Sequence, residues 1–172
     1  MDRTVPIPEK ARRQALYSAY IEEEVVPYVR QVTGDPSERS LTTGASFGAF
    51  HAANALFRRP DLFSGTIAMS GFFDLSRSYL DGYHDDNVYF NNPAYYLPNL
   101  SGAPLYTLQH DSQIVIVTGQ GAFEAPHNSI SFSEILQAKS IPHMLDVWGH
   151  DVRHDWPWWR KMLPYHLEKL GF

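Results

Sequence analysis

The residues Gly44-Ala45-Ser46-Phe47-Gly48 place a serine between two glycines, where a strand-like segment (40–43) runs straight into a helix-like one (47–57). A turn this sharp lifts the serine hydroxyl above the sheet, and both glycines are expected to keep side chains from colliding with the neighbouring strand and helix. The bland alternative is a tight glycine-rich turn; the strand-then-helix context favours a nucleophile. A serine hydroxyl becomes nucleophilic only when a base removes its proton, and the base must be oriented by a carboxylate.

Such turns go with the chain order serine, acid, histidine. Of the eight histidines after Ser46, only His150 and His154 fall in the turn between the last strand-like and last helix-like segments, where a base overhangs the sheet. His154 is favoured, because His150 directly follows the strand end. Glu124 is the candidate acid, since it follows the 114–117 strand through Thr118-Gly119-Gln120-Gly121-Ala122-Phe123. Asp111 competes with it, while Asp151 and Asp155 are too close in sequence to the histidine to face it across a site. A metal site of His150, Asp151, His154 and Asp155 needs a helix across its His-x-x-x-His spacing, yet Gly149 and Pro157 bracket a loop. No metal is expected. With no phosphate-cradling or dinucleotide-binding glycine pattern, no cofactor is expected either.

The elements that must position these groups alternate. Residues 9–31 carry Ala15, Leu16, Ala19, Tyr20, Val25, Val26 and Val29 at helical spacing, with Pro27 as an expected kink. Segments 66–69, 114–117 and 144–148 read as buried strands. Ser131-x-x-Glu134 resembles a capping box opening a helix that ends near Lys139, and 158–170 reads as a closing helix with Asp155 as cap and Pro157 in its first turn. Alternation of this kind predicts an α/β fold, with a parallel sheet of about four strands and helices on both faces. Ligands on such sheets bind beyond the carboxyl ends of the strands, where every candidate group stands. Residues 71–112 form an aromatic, Asn/Asp/Pro-rich tract read as a lid or binding loop, in which Tyr83, Tyr95 and Tyr96 are candidates for lining a substrate pocket.

Composition sets the outer limits. A chain of 172 residues with 44% apolar and 19% charged residues is expected to form one folded domain over 1–172. A net charge of -5 gives no basic footprint for nucleic acid or anionic lipid, and no run of about 18 apolar residues predicts a membrane span. Without cysteine there is no disulfide framework, thiolate metal site or cysteine nucleophile. The amino-terminal Met-Asp-Arg-Thr-Val-Pro-Ile-Pro-Glu-Lys lacks the apolar core of a secretory signal, so a cytoplasmic location is expected.

The chain resembles the esterase family of the α/β-hydrolase fold that includes esterase D, feruloyl esterase domains and the mycobacterial mycolyltransferases. The resemblance rests on Gly44-Ala45-Ser46-Phe47-Gly48, on Gly119-Gln120-Gly121 leading to Glu124, and on His154-Asp155-Trp156-Pro157-Trp158-Trp159. The last is the most specific, because the family's catalytic histidine stands in a His-x-Trp-x-aromatic-Trp segment. The resemblance implies Ser46 as nucleophile, Glu124 as acid, His154 as base and the Phe47 backbone N–H as one oxyanion donor. It implies a serine esterase acting on small carboxylic esters through an acyl-enzyme; the alternatives are an acyltransferase and a weakly active or non-catalytic binding module. Members carry several strands before the elbow, and a loop among them supplies the second oxyanion N–H. Here a helix stands in that place. Loss of one such donor costs about 3 kcal/mol, and the 40–43 strand would become an open sheet edge. A homodimer or larger assembly covering that edge is therefore expected.

Overall fold

Four parallel strands lie in the order β1-β2-β3-β4: β1 (Ser40–Ala45), β2 (Phe63–Met69), β3 (Gln113–Thr118) and β4 (Met144–Val147). The computed structural model describes residues 4–172, apart from the side chains of Arg77 and Ser78; Met1–Arg3, the start of the amino-terminal segment read above, lie outside the described residues. The β-branched run of β3 is buried on both faces, as a central parallel strand requires. Alternate residues of β2 and β3 point to opposite layers. Ala68, Ile114 and Ile116 pack with Ala49, Ala53, Leu56 and Phe57 of α3 (Phe47–Arg58) and with Phe132 and Leu136 of a later helix. On the other face Ile67, Met69, Val115 and Val117 meet Trp159 and Met162 of the carboxyl-terminal helix. Helices therefore cover both faces of the α/β sheet.

The long amino-terminal helix is broken where Pro27 predicts it, into α1 (Ile7–Tyr20) and α2 (Val26–Thr33). Between them the backbone widens into a π-helical turn at Ile21–Val25, an accommodation of the missing proline N–H and its ring. After β2 the aromatic tract holds three one-turn helices, α4 (Leu75–Ser78), α5 (Asp86–Tyr89) and α6 (Pro93–Tyr96), and a nine-residue helix α7 (Gly102–His110) that sequence patterning left inside the loop. Asp74 and Asp85 open α4 and α5 by accepting backbone N–H bonds. The tract is anchored rather than free. Ser18 donates to Asn91, Asn54 to Ser18, Tyr96 to Asn54 and Arg58 to Asn91, tying it to α1 and α3 through a largely buried polar network.

The next helix, α8, spans Pro126–Ala138, so Ser131 lies inside it and caps nothing. Pro126 sets the first helical φ and needs no N–H there, which makes it the stronger start signal. The closing helix α9 (Trp156–Leu170) begins at Asp155, whose carboxylate accepts the Trp156 N–H at 2.7 Å. Among the described residues no helix is long and apolar enough to cross a membrane.

Candidate active site

Ser46 sits at the junction of β1 and α3 with φ 56° and ψ -121°, a conformation that a non-glycine residue adopts only under constraint. The constraint comes from both sides. Its N–H donates to the Met69 carbonyl at the end of β2 (2.9 Å), and its carbonyl accepts the Ala49 N–H as α3 begins (3.1 Å). The two flanking glycines have different reasons. A Cβ on Gly44 would stand 2.2 Å from the Gly48 carbonyl oxygen, whereas a Cβ on Gly48 would meet nothing within 4 Å. The expectation that both prevent collisions is thus corrected: Gly44 alone permits the close approach of strand and helix.

His154 reaches this serine from the loop between β4 and α9, with Nε2 2.9 Å from Ser46 Oγ. Its Nδ1 faces Glu124 Oε2 at 3.5 Å, at the long limit of a hydrogen bond. Two features fix the histidine. The His154 backbone N–H donates to the Ala122 carbonyl (3.1 Å), which places the residue, and its imidazole meets Trp159 edge-on with centroids 5.0 Å apart. The histidine loop and the acid loop are laced together: the Gly121 N–H donates to the Val152 carbonyl at 2.8 Å and the Gln120 N–H to the Gly149 carbonyl at 3.2 Å. A Cβ on Gly119 or Gly121 would lie 2.4 or 2.6 Å from the Val152 carbonyl oxygen, so the Gly119-Gln120-Gly121 segment exists to let two backbones touch.

The Glu124 side chain is only 1% exposed, so its charge must be held by partners. Ser70 Oγ donates to Oε1 at 2.6 Å and Thr118 Oγ1 to Oε2 at 3.1 Å; Trp159 Nε1 donates in turn to Ser70 Oγ at 3.0 Å. Burial works to raise the carboxyl pKa, but the His154 imidazole, Ser70 and Thr118 together outweigh it and hold the group below its ordinary value. Ser70, Thr118 and Trp159 were not singled out from sequence as supports for the acid. Ser70 and Thr118 occupy the first position past β2 and the last position of β3, so a hydroxyl at a parallel strand's carboxyl end was the available signal.

The family described as "Putative esterase" matches residues 2–170. The chain belongs to this esterase family. Solved structures similar to this esterase-family chain include a ferulic acid esterase, 21% identical over 88% of this chain and 59% of its own, with a TM-score of 0.68. An S-formylglutathione hydrolase from Staphylococcus aureus is 20% identical over 95% of this chain and 65% of its own, with a TM-score of 0.67. An S-formylglutathione hydrolase from Agrobacterium tumefaciens is 15% identical over 87% and 55%, with a TM-score of 0.70. These likenesses show the α/β-hydrolase fold, and the chain spans between about half and two thirds of those proteins. No curated protein matches the sequence.

In this esterase-family chain Ser46, Glu124 and His154 meet at the carboxyl ends of the strands, and Phe47 opens α3 with its N–H among those that no helical carbonyl precedes. Tyr83 and Tyr95 pack against the apolar cluster that also takes Phe47 and Phe72, and Tyr96 lies in the cluster around α3. Tyr83 donates to Asp85, Tyr95 meets His84 edge-on, and Tyr96 is buried with its hydroxyl on Asn54. The aromatic rings stacked on Phe47 are those of Phe72 and Tyr79, with centroids 5.5 and 5.3 Å away. A cavity of about 460 Å³ is lined by Tyr96, Tyr89, Phe57 and Arg58. It opens at the far end of α3, about 15 Å along the helix from Phe47.

Proposed function

We propose that this chain is a serine esterase that hydrolyses small carboxylic esters through an acyl-enzyme. Ser46 Oγ attacks the ester carbonyl while His154 Nε2 takes its proton, and the oxyanion forms at the Phe47 N–H at the positive end of α3. As the acyl C–O bond breaks, the imidazolium returns that proton to the departing alkoxide. Water then attacks the acyl-serine with the same histidine as base, releasing the acid and restoring Ser46. Glu124 holds the imidazole in the required tautomer and stabilises its charged form. A cleft of about 240 Å³ lined by Phe47, His51, Tyr17 and Gln14 lies against the residue after the nucleophile and offers room for a small acyl group.

The observation that carries this reading is the 2.9 Å contact between His154 Nε2 and the hydroxyl of a serine held at φ 56°. The free side of β1 at the edge of the sheet offers backbone groups on which a second copy of the chain would pair. Turnover of p-nitrophenyl acetate tests the reaction. Wild type should hydrolyse it and Ser46→Ala should lose about 10⁴-fold or more; equal rates would end the proposal.

A further inference from the structure

Phe123 carries two costs at once. Its φ is 66°, the left-handed region that a bulky side chain rarely adopts, and its residue is 92% exposed. It stands third in the turn from Gly121 to Glu124, which is closed by the Glu124 N–H donating to the Gly121 carbonyl at 3.1 Å. A positive φ at that position ordinarily selects Gly or Asn. A ring this exposed gains almost nothing from packing, so neither the strain nor the wetting of an aromatic face is offset within the fold.

The position of the ring supplies the missing reason. Its two neighbours hold the catalytic histidine: the Ala122 carbonyl accepts the His154 backbone N–H at 3.1 Å and the Glu124 carboxylate faces the imidazole Nδ1 at 3.5 Å. Two residues after His154 stands Trp156, 62% exposed, edge-on to Trp159 at 5.3 Å, which is itself edge-on to the His154 ring at 5.0 Å. Two wet aromatic residues therefore stand close to the catalytic histidine, Phe123 next in the chain to Glu124 and Trp156 one ring removed from the imidazole through Trp159. In the esterase reaction the leaving oxygen must come within hydrogen-bond reach of Nε2 to receive its proton. The alcohol portion of the ester, rather than its acyl portion, then extends over the rim beside His154.

We propose that Phe123 and Trp156 form an apolar seat for the alcohol portion of the substrate and select esters of aromatic alcohols over those of short-chain alcohols. This inference rests on the esterase reading above. Burying one aromatic ring against such a seat is worth about tenfold in kcat/KM or more.

The test compares 2-naphthyl acetate with ethyl acetate, which share an acyl group, and 2-naphthyl acetate with 2-naphthyl butyrate, which share an alcohol. Phe123→Gly and Trp156→Ala should each lower the 2-naphthyl to ethyl ratio of kcat/KM about tenfold, mainly through KM, and leave the acetate to butyrate ratio in place. Phe123→Leu should recover much of the ratio. Phe123→Gly should also raise the melting temperature, because it removes strain that serves the substrate and not the fold. A proportional loss on both acetates, a change confined to the acyl series, or a lowered melting temperature would overturn the seat. Binding of 2-naphthol followed by tryptophan fluorescence needs no turnover. Saturable binding lost in Phe123→Gly, in a protein that cleaves no ester, would sink the esterase reading and leave the seat standing. Ester cleavage without discrimination by alcohol would do the reverse.

Discussion

His154 Nδ1 lies 3.5 Å from Glu124 Oε2, while Nε2 of the same ring lies 2.9 Å from Ser46 Oγ. The imidazole is docked more closely on the nucleophile than on the acid, and the acid also accepts from Ser70 at 2.6 Å and Thr118 at 3.1 Å. Contacts of this kind tighten when substrate binds, so the placement of Glu124 before binding decides how much movement is needed.

Ser70→Ala tests that placement. Removing a hydrogen bond to a buried carboxylate should lower kcat about tenfold with little change in KM, and Ser70→Thr should restore much of it. Because Ser70 helps hold the Glu124 pKa below its ordinary value, the acid limb of the kcat profile should move to higher pH in Ser70→Ala. The stability curve should move with it. A carboxyl lowered in the folded state contributes stability that is complete above the unfolded value, about 4.3, and is lost as pH falls through the folded value. A fall in kcat and melting temperature with no movement of either limb would mean that Ser70 serves packing alone.

His51 makes a separate prediction. Burial between Tyr17 and Phe47 pushes its pKa down to about 4, and Gln14 Nε2 stands 3.4 Å from Nδ1. The unfolded chain takes up this proton near pH 6.5 and the folded one near 4, so stability should be full above 6.5 and decline as pH falls from 6.5 towards 4. Denaturant midpoints across that window should flatten in His51→Phe; an unchanged slope would contradict the assignment.

The glycines of the elbow should separate cleanly. Gly44→Ala forces a methyl into the Gly48 carbonyl and should destabilise the fold by several kcal/mol, with loss of Ser46 geometry. Gly48→Ala places its methyl in open space in the first turn of α3 and should be neutral or stabilising by up to about 1 kcal/mol. Urea midpoints of the two variants decide the matter, and a severe loss in Gly48→Ala would be inconsistent with the structure.

Much of this was legible in the sequence because it is local. The elbow announces itself where a strand runs into a serine between glycines, and β3 is a continuous β-branched run. The break near Pro27 follows from a missing N–H. What escaped is long-range or competitive. The Ser70–Glu124 bond joins residues 54 positions apart, and no periodicity encodes it. The start of α8 was misplaced because Ser131 and Glu134 imitate a capping box inside a helix that Pro126 had already begun. The bond from the Tyr96 hydroxyl to Asn54, 42 positions away, is long-range in the same way. Phe123 gave no sequence signal at all, since only its φ and exposure mark it.

The open edge of β1 makes a prediction about assembly. Among the described residues Ser40–Ala45 pairs with β2 alone, which leaves backbone donors and acceptors to recruit another strand. Sedimentation equilibrium should return a mass of two or more copies; a monodisperse monomer would contradict a copy paired on that edge.

The most direct measurement is the intact mass of the protein after treatment with a fluorophosphonate. The account predicts one covalent adduct, mapped to Ser46, absent in Ser46→Ala and formed at least about 100-fold more slowly in His154→Ala. A wild-type protein that takes up no adduct, or an adduct that persists in Ser46→Ala, would contradict the claim that Ser46 and His154 form a working nucleophile and base.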